Sequence, residues 1–338
     1  MDINDPRYNQ FHLVKEMYEA VDYIKNFDSR PSQKLFQELT GKKPVMLTGE
    51  GSSRIFPARN AVYRRLASGE GPQIFTESST DLQGKILDNF VVIGASNSGK
   101  TKELVNLFRN LKDAGHNQLY GLSCNRGTLL EDLSKQTIVL KTGIETAVAA
   151  TKSVVAQALF YEALLTELNI AGSIDNVSLS VYFGQALNIN ISKDITDAIC
   201  KANMVYFTGN NNGVAEELTL KTNEIIRKKS AFLPGTYLLH GVEEVISPDD
   251  VIIMVDAYPD EYQKIKSIYT DSIGTPVIVI SETPSPFHSV LTPRVPREFE
   301  PYVKLAAGWG LLVEAGISLG VDIDKPQRAR KIGNEANF

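Results

Sequence analysis

The sequence predicts an α/β protein built from two parallel sheets, each flanked by helices. Short apolar runs alternate with helical stretches along the chain, and the same pattern starts again after about residue 191. Such alternation is typical of βαβ units and a parallel sheet. The 338 residues suffice for two domains of roughly 100–200 residues each. We therefore place the first domain at residues 1–190 and the second at residues 191–338.

The first half opens with an amphipathic helix between Arg7 and Phe27, because its apolar residues recur at helical spacing. Short apolar runs then predict strands at 45–47, 74–75, 90–93, 119–122 and 138–140. The segments between them predict helices at 58–66, 102–111 and 151–168. The first half is thus predicted to form one complete α/β unit.

The second half predicts strands at 204–208, 251–256 and 277–280. The proline-rich stretch Pro284–Pro301 is predicted to be a long surface connection, followed by an apolar helix at Tyr302–Gly320 and a polar tail. VMLTGEGSS in the first half and VYFTGNNNG in the second each read as a strand and a glycine-rich turn before a helix. This loose similarity favours a duplicated domain.

Composition excludes several classes of function. The formal net charge is −5 with 22% charged residues, which gives no basic surface for nucleic acid. There is no charged-then-apolar leader and no apolar run of about 18 residues, so we predict a cytoplasmic protein without a membrane span. Cys124 and Cys200 are far apart and lack CxxC spacing. We predict no disulfide, no metal site and no cofactor.

The glycine-rich string Gly94–Thr101 follows a predicted strand and opens a predicted helix. It matches GxxxxGK[ST], which would place nucleotide phosphates on the loop, Lys100 on the phosphates and Thr101 on magnesium, with Asp256 as an acidic partner. The three hydroxyls of Ser96, Ser98 and Thr101, with Asn97, equally suit one phosphate dianion without metal. A serine-capped turn is the third interpretation. The loop alone leaves these three interpretations open.

Four segments resemble one known family in the same order. Ser96–Thr101 resembles the SxSGxT phosphate loop of SIS (sugar isomerase) domains, in most detail that of the isomerase half of glucosamine-6-phosphate synthases. Gly51–Ser53 stands at the family's Gly-Thr-Ser turn, and Gly143–Lys152 is similar to its GxExxVAxTK segment. The N-terminal FHLVKEMYE resembles the helix that leads into the family's first domain. The resemblance implies two tandem SIS domains, each with a flavodoxin-like, mainly parallel sheet.

The resemblance also implies how a phosphorylated sugar would bind. The backbone at Val148 and the side chain of Ser52 would contact sugar hydroxyls. Asn97 stands where the family usually has Gln, and Ala150 where it has Ser, so the contacts at these two points are open. Lys100 replaces the usual Glu. The implied phosphate contacts come from Ser53, Ser96, Asn97, Ser98 and Thr101.

Glu217, Lys221 and Glu224 lie at i, i+4 and i+7 and therefore project from one face of a helix. His240 follows in LLHG. Aldose–ketose isomerisation needs a base to move a proton between C1 and C2 and an acid–base group to open the ring, roles that suit a carboxylate and an imidazole. On spacing alone, a solvated ion-pair ladder and a structural histidine explain these residues as well.

The pattern E-x3-K-x2-E, with HG sixteen residues beyond the second Glu, is similar to the synthase isomerase pattern. The resemblance implies that Glu224 shuttles the proton and His240 opens the ring, often from the neighbouring subunit of a homodimer. Glu217 and Lys221 would orient and charge Glu224.

The C-terminal segment 321–331 resembles the family's DxDxPRNLAK terminus, with Gln327 and Arg328 as departures. The resemblance places Lys331 on the lysine that can form a Schiff base with the open-chain ketose. It also implies a homodimer with a shared active site.

We expect no amidotransferase domain with an N-terminal cysteine, since the chain begins Met1-Asp2. This expectation favours a stand-alone isomerase or deaminase that converts glucosamine 6-phosphate into fructose 6-phosphate and ammonia. A fructosamine-6-phosphate deglycase is the alternative enzyme. A P-loop NTPase and a non-catalytic sugar-phosphate sensor are alternatives of other classes. Roles for Lys100, Glu243 and Glu244 stay open.

Overall fold

The structure is a computed structural model that describes residues 1–39, 43–256, 258–331 and 334–336. The chain divides into two compact units. Unit I comprises Tyr23–Glu145, Ala150–Asn176 and Arg330–Phe338, and unit II comprises Met1–Asp22, Thr146–Ala149 and Val177–Ala329. The units are interleaved along the chain, so the boundary at residue 190 stays a prediction about sequence segments.

Unit I contains a parallel sheet of five strands in the order β2-β1-β3-β4-β5. The strands are β1 (Val45–Gly49), β2 (Ile74–Ser78), β3 (Val91–Ser96), β4 (Leu119–Ser123) and β5 (Gln136–Val139). β1, β3 and β4 are buried along their whole length, as expected for central strands covered on both faces. The helices associated with this sheet are α3 (Gln33–Leu39), α4 (Ile55–Ser68), α5 (Lys102–Asp113), α6 (Leu129–Leu133) and α7 (Lys152–Glu167).

Unit II contains a second parallel sheet, in the order β10-β9-β8-β6-β7. Its strands are β6 (Met204–Gly209), β7 (Lys229–Pro234), β8 (Val251–Val255), β9 (Val277–Ser281) and β10 (His288–Leu291). The two sheets have the same strand order when each is numbered from its own first strand. The predicted architecture of two parallel sheets flanked by helices is therefore confirmed.

Most of the remaining helices lie in unit II. Along the chain they stand before, between and after the strands of its sheet. Two of them, α10 and the π-helix that continues it, carry Glu217, Lys221 and Glu224. The list is α1 (Pro6–Asn9), α2 (His12–Lys25), α8 (Asn176–Leu187), α9 (Lys193–Lys201), α10 (Val214–Lys221), the π-helices Thr222–Ile226 and Lys266–Ile273, α11 (Tyr262–Ile265) and α12 (Glu300–Ser318). In the described part of the chain, no helix combines the length and apolar character needed to cross a bilayer.

One prediction about elements was wrong, and one strand was missed. Pro284–Pro301 contains strand β10, which pairs in parallel with β9, so it is more than a surface connection. β7 was not predicted at all. Both are edge strands with half-exposed sequences, which lack the apolar runs that reveal central strands.

The single N-terminal helix predicted between Arg7 and Phe27 is divided into α1 and α2. The carboxylate of Asp324 accepts hydrogen bonds from the backbone amides of His12 and Leu13, at 2.9 and 2.7 Å. This carboxylate satisfies amides that would otherwise be unpaired at the start of α2. A residue more than 300 positions away thus fixes where the helix begins.

The strand order of the first sheet indicates where a ligand can bind. The chain runs to opposite sides of the sheet after β1 and after β3, which are adjacent. In open parallel sheets, ligands bind beyond the carboxyl ends of the strands where the connections diverge in this way. The segments that follow Gly49 and Ser96 meet at that point.

Candidate functional site

The end of β1 lies close against the end of β3. Gly49 pairs with Ala95, and a Cβ atom at Gly49 would stand 2.7 Å from the carbonyl oxygen of Ala95. Only glycine fits there without a shift of backbone. This close approach places the turn Gly51–Ser53 beside the loop that follows β3. Ser52 and Ser53 are half-buried in that turn, and the Ser53 hydroxyl accepts from Gln157 Nε2 at 3.4 Å.

The loop after β3 is held by its own hydroxyl groups. Ser96 Oγ and Thr101 Oγ1 are hydrogen-bonded at 2.8 Å, and Ser96 Oγ also accepts from the amide of Gly99 at 3.0 Å. Ser98 Oγ accepts from the amide of Lys100 at 3.1 Å. The loop leads directly into α5, whose N-terminus carries partial positive charge. Hydroxyls, amides and a helix N-terminus together form a suitable environment for one phosphate group.

Gly99 gives this loop its tight shape. Its φ is +66°, in the left-handed region that favours glycine. A Cβ atom there would stand 2.4 Å from the hydroxyl oxygen of Thr128. Both the backbone angle and the lack of space therefore require glycine at this position.

Glu145 connects the loop to the C-terminal tail within unit I. Its Oε2 atom accepts from Asn97 Nδ2 at 2.9 Å, from Lys331 Nζ at 2.9 Å and from Ser153 Oγ at 2.7 Å. Its Oε1 atom accepts from the amide of Thr151 at 2.9 Å. Burial by itself would raise the pKa of Glu145, but the Lys331 ammonium and these hydrogen bonds outweigh burial and hold that pKa below its ordinary value. Glu145 is thus an ionised carboxylate that is only 2% exposed.

Glu145 was not predicted as a site residue, although it belongs to the segment Gly143–Lys152 that carries the family resemblance. The glutamate of the segment that resembles GxExxVAxTK was the available signal. What the sequence could not show was its partner, since Lys331 lies 186 positions away.

The C-terminal tail is hydrogen-bonded to the loop that follows β3 and to the start of α5. The amide of Lys102 donates to the carbonyl of Asn334 at 3.1 Å, and the amide of Ala336 donates to the carbonyl of Lys100 at 2.9 Å. Lys331, which precedes this pairing, is 26% exposed. The tail therefore places a partly accessible ammonium group beside Asn97 and Glu145.

In unit II, the predicted triad forms a buried ion cluster. Lys221 Nζ lies 2.7 Å from Glu224 Oε2 and 3.3 Å from Glu217 Oε1. Lys221 and Glu217 are fully buried, whereas Glu224 is 22% exposed. Burial alone would lower the pKa of Lys221, but the charges of Glu224 and Glu217 raise it above its ordinary value. The solvated ion-pair ladder considered from spacing alone does not describe this arrangement.

Local helix geometry turns Glu224 toward Lys221. α10 ends at Lys221, and Glu224 lies in the π-helix Thr222–Ile226. Such π-helical turns occur frequently at functional sites. A Cβ atom on Gly308 of α12 would stand 2.4 Å from Leu218, so α12 packs closely on α10. α10, which carries the fully buried Glu217 and Lys221, is thus closely covered by α12 at Leu218.

His240 and Val148 occupy other segments of unit II. His240 is exposed after the short 3-10 turn Tyr237–Leu239, and its ring meets that of Tyr237 edge-on, with 6.3 Å between centroids. The amide of Val148 donates to the carbonyl of Asp324 at 3.0 Å. The amide of Val148 is therefore already paired. A sugar hydroxyl could be bound at this position by the carbonyl oxygen of Val148.

Asp256, the acidic partner considered for a nucleotide site, is engaged within unit II. Its carboxylate contacts Lys304 Nζ at 2.5 Å and Asn212 Nδ2 at 2.8 Å. Lys304 also contacts Glu300 at 2.7 Å. The Asp256 carboxylate after β8 is thus already paired with Lys304 and Asn212, which gives no support to a magnesium role for Asp256.

The structure brings the predicted residues together in two groups. In unit I, Ser52, Ser53, Ser96, Asn97, Ser98 and Thr101 lie at the carboxyl ends of β1 and β3, and Lys331 joins them through Glu145. In unit II, Glu217, Lys221 and Glu224 form one cluster. That the two groups form one active site is a proposal.

Comparison with known proteins finds one family model and several similar chains. Residues 38–167 match the family model of the SIS domain. A glutamine–fructose-6-phosphate aminotransferase [isomerizing] of Methanococcus maripaludis is 24% identical over 350 residues, covering 96% of this chain. This chain spans 56% of the length of that relative.

Two solved structures have a similar fold. The C-terminal domain of glucosamine-fructose-6-phosphate aminotransferase from Francisella tularensis has a TM-score of 0.76 at 18% identity, covering 94% of this chain and 98% of that one. Glucosamine-6-phosphate deaminase from Thermotoga maritima has a TM-score of 0.72 at 20% identity, covering 95% and 98%. The two sheets are consistent with two SIS domains. Residues 38–167 of this chain are thus similar to SIS domains.

Proposed function

We propose that this protein is a sugar-phosphate aldose–ketose isomerase of the deaminase type, which converts glucosamine 6-phosphate and water into fructose 6-phosphate and ammonia. One observation carries the proposal: Glu145 joins the hydroxyl-lined loop, through Asn97, to the amine of Lys331. An anion site and a reactive amine held by one carboxylate suit a phosphorylated carbonyl compound. The match of residues 38–167 to the SIS domain supports the same class of substrate.

In this proposal the loop binds the phosphate group. Ser53, Ser96, Ser98 and Thr101 supply hydroxyl donors, Asn97 supplies an amide, and the N-terminus of α5 favours the negative charge. Ser52 and the Val148 backbone contact sugar hydroxyls. No step requires a metal ion or cofactor.

The chemistry then proceeds by proton transfers. His240 moves a proton between the ring oxygen and O1, which opens the sugar to an aldehyde at C1 with the amine at C2. Glu224 removes the C2 proton and returns it to C1, which converts the aldehyde into an alcohol and the C2 amine into an imine. Water adds to that imine, ammonia leaves, and C2 becomes the ketone of fructose 6-phosphate.

Other residues support the base and the carbonyl group. Lys221 lies between Glu217 and Glu224 and holds the Glu224 carboxylate in one orientation. Lys331 provides an amine for the open-chain carbonyl. Glu217 keeps Lys221 charged, because its carboxylate favours the ammonium form.

We further propose a homodimer that shares its active site through His240. Two large apolar side chains near His240 are exposed: Tyr237 by 57% and Val245 by 69%. Exposed apolar residues beside a predicted catalytic histidine favour an interface there. Mass measurement in solution tests the dimer, and mixing a His240→Ala chain with a Glu224→Gln chain tests sharing, because only a shared site regains turnover. The cytoplasmic location stays a prediction from the sequence.

The direct test incubates the purified protein with glucosamine 6-phosphate and measures ammonia and fructose 6-phosphate together. We expect equimolar products, and we expect Glu224→Gln to reduce turnover by about 10²–10⁴-fold, the usual contribution of a general base. Glu261→Gln, a change in the same unit far along the chain, is the matched control and should retain activity.

The same assay separates the alternatives. Release of glucose 6-phosphate and free amine from fructosamine 6-phosphates, at a higher rate than ammonia from glucosamine 6-phosphate, would favour the deglycase. Ligand binding without any turnover, unaltered in Glu224→Gln, would favour a sensor. Absence of ammonia release from every hexosamine phosphate tested would overturn the deaminase proposal.

A further inference from the structure

Unit II contains a basic cleft that the proposed reaction does not use. Its volume is about 460 Å³, within the range of small-molecule sites. One wall is the turn after the π-helix, with Arg227, Lys228 and Lys229, and the other is the segment 326–329, with Arg328. We call this the basic cleft. It lies at the start of β7, at the amino end of the sheet, whereas sites of the phosphate-loop type lie at the carboxyl end.

The charge of the cleft is unbalanced. Within the described residues, none of these four cations takes part in an ion pair, and the residues that line the cleft include no carboxylate. Like charges that are gathered together destabilise a fold, and this concentration occurs in a chain of net charge −5. A bound anion would remove the repulsion.

Arg227 is fixed in place by its backbone conformation and by hydrogen bonds, and it forms part of the framework of the cleft. Its φ is +57°, so it ends the π-helix in a left-handed conformation. Its Nη2 atom donates to the backbone carbonyl of Lys325 at 3.0 Å and to that of Asp322. Arg227 thereby ties the two walls of the cleft together. The position of the cleft is therefore set by backbone contacts and does not depend on a ligand.

A second observation concerns a hydrogen-bond donor of Arg227 that has no acceptor within the described part of the chain. Arg227 Nε is buried and has no hydrogen-bond partner among the described atoms. Buried donors are almost always paired in native proteins, and an unpaired one costs stability. Lys228, by contrast, already donates to the carbonyl of Ala202 at 2.6 Å. The cleft thus combines a fixed frame with uncompensated charge, and one of its arginines has a buried Nε atom without a hydrogen-bond partner among the described atoms.

The lining specifies the class of ligand. The exposed Arg328 guanidinium can bind phosphoryl oxygens in a bidentate manner, and the exposed Lys229 ammonium adds a point charge. Arg227 and Lys228, which already donate to backbone carbonyls, add positive charge beside them. Four cations exceed what one phosphate dianion needs. Among the described residues that line the cleft there is no aromatic ring on which a base could stack. Recognition by charge, without stacking, favours a compact polyanion over a nucleotide.

We propose that the basic cleft is a second anion site, which binds a small molecule carrying two phosphoryl groups, such as a sugar bisphosphate or a diphosphate. The proposal is independent of the proposed reaction. The cleft also lies next to Glu224 in sequence, because Asn223 and Arg227 flank that residue. The ligand would therefore stabilise the segment that carries the proposed base.

The test is isothermal titration of the full chain with pyrophosphate, with fructose 1,6-bisphosphate and with inorganic phosphate. The test variant is Lys229→Gln/Arg328→Gln, since both side chains are exposed and neither belongs to the core. The matched control is Lys264→Gln/Arg297→Gln, which removes the same charges from exposed positions of unit II. Thr101→Val separates this site from the loop in unit I. Thermal melts establish that each variant is folded.

We expect pyrophosphate, fructose 1,6-bisphosphate or both to bind more tightly than inorganic phosphate. The test variant should bind them at least about tenfold more weakly, because two charge-assisted contacts are lost. The control and Thr101→Val should retain this binding, and affinity should fall with added salt. Preference for one of the two bisphosphorylated probes identifies the source of the ligand. Equal affinity in the test variant and the wild type, or no binding by the wild type, would overturn the proposal. Turnover is not measured here, so failure of the proposed reaction leaves this test unaffected.

Discussion

Glu145 and Lys331, 186 positions apart in the sequence, form an ion pair with 2.9 Å between Oε2 and Nζ, in which only the carboxylate is buried. The pair joins the segment before α7 to the C-terminal tail inside unit I. Because Asn97 donates to the same oxygen, the phosphate-type loop and the tail depend on one carboxylate. Glu145 is therefore the positioning residue on which our first two predictions depend.

Replacing Glu145 by Gln should lower kcat by about 10²-fold, because small misplacements of reacting groups cost that much. The neutral amide can keep part of the hydrogen bonding but cannot hold the Lys331 ammonium. Steady-state kinetics with glucosamine 6-phosphate measures the effect, and Glu77→Gln on β2 of the same unit is the control. Unchanged kcat in Glu145→Gln would show that Lys331 needs no such partner.

Low pH should lower the free energy of unfolding of unit I, because Glu145 becomes protonated. Since its pKa in the folded protein is below the ordinary 4.5, the carboxylate stabilises the folded state above about pH 4.5. That contribution should disappear as the pH falls through the lower folded-state pKa. Free energies of unfolding, measured against pH, should therefore differ most between wild type and Glu145→Gln near neutrality and converge in acid. A constant difference over that range would contradict the assignment.

Replacing Lys221 by Met should destabilise unit II by about 3–5 kcal/mol, since Glu217 would be left as a buried charge without its cation. The double variant Glu217→Gln/Lys221→Met should recover part of this loss. Denaturant unfolding measures both, with Lys201→Met on the exposed end of α9 as the control. If the double variant is less stable than Lys221→Met, the buried-charge explanation is wrong.

Thr101→Val should raise KM for a phosphorylated substrate by about tenfold, the effect of losing one hydrogen bond to a charged group. The methyl group cannot pair with Ser96 Oγ, which lies 2.8 Å from the threonine oxygen. Thr101→Ser keeps the hydroxyl and should retain the wild-type KM. Equal KM values for Val and Ser variants would remove Thr101 from the phosphate site.

Several features could be predicted from the sequence alone. The central strands were found because burial on both faces requires continuous apolar runs, as in Val251–Val255. The loop Ser96–Thr101 was found because tight turns that bind anions need glycine and small hydroxyl residues at fixed positions. These are local requirements, and a local pattern is sufficient to reveal them.

Other features depended on tertiary structure, because they join residues that no local pattern connects. The edge strands β7 and β10 take their conformation from pairing with a neighbour. Spacing put Glu217 and Lys221 on one helix face, but only the tertiary structure removed them from water. The Glu145–Lys331 pair and the basic cleft between the turn at Arg227 and the segment 326–329 exist because the folded chain returns to the same place. Sequence determined the elements and the loop chemistry, whereas long-range packing decided which charges are buried, paired or left to bind a ligand.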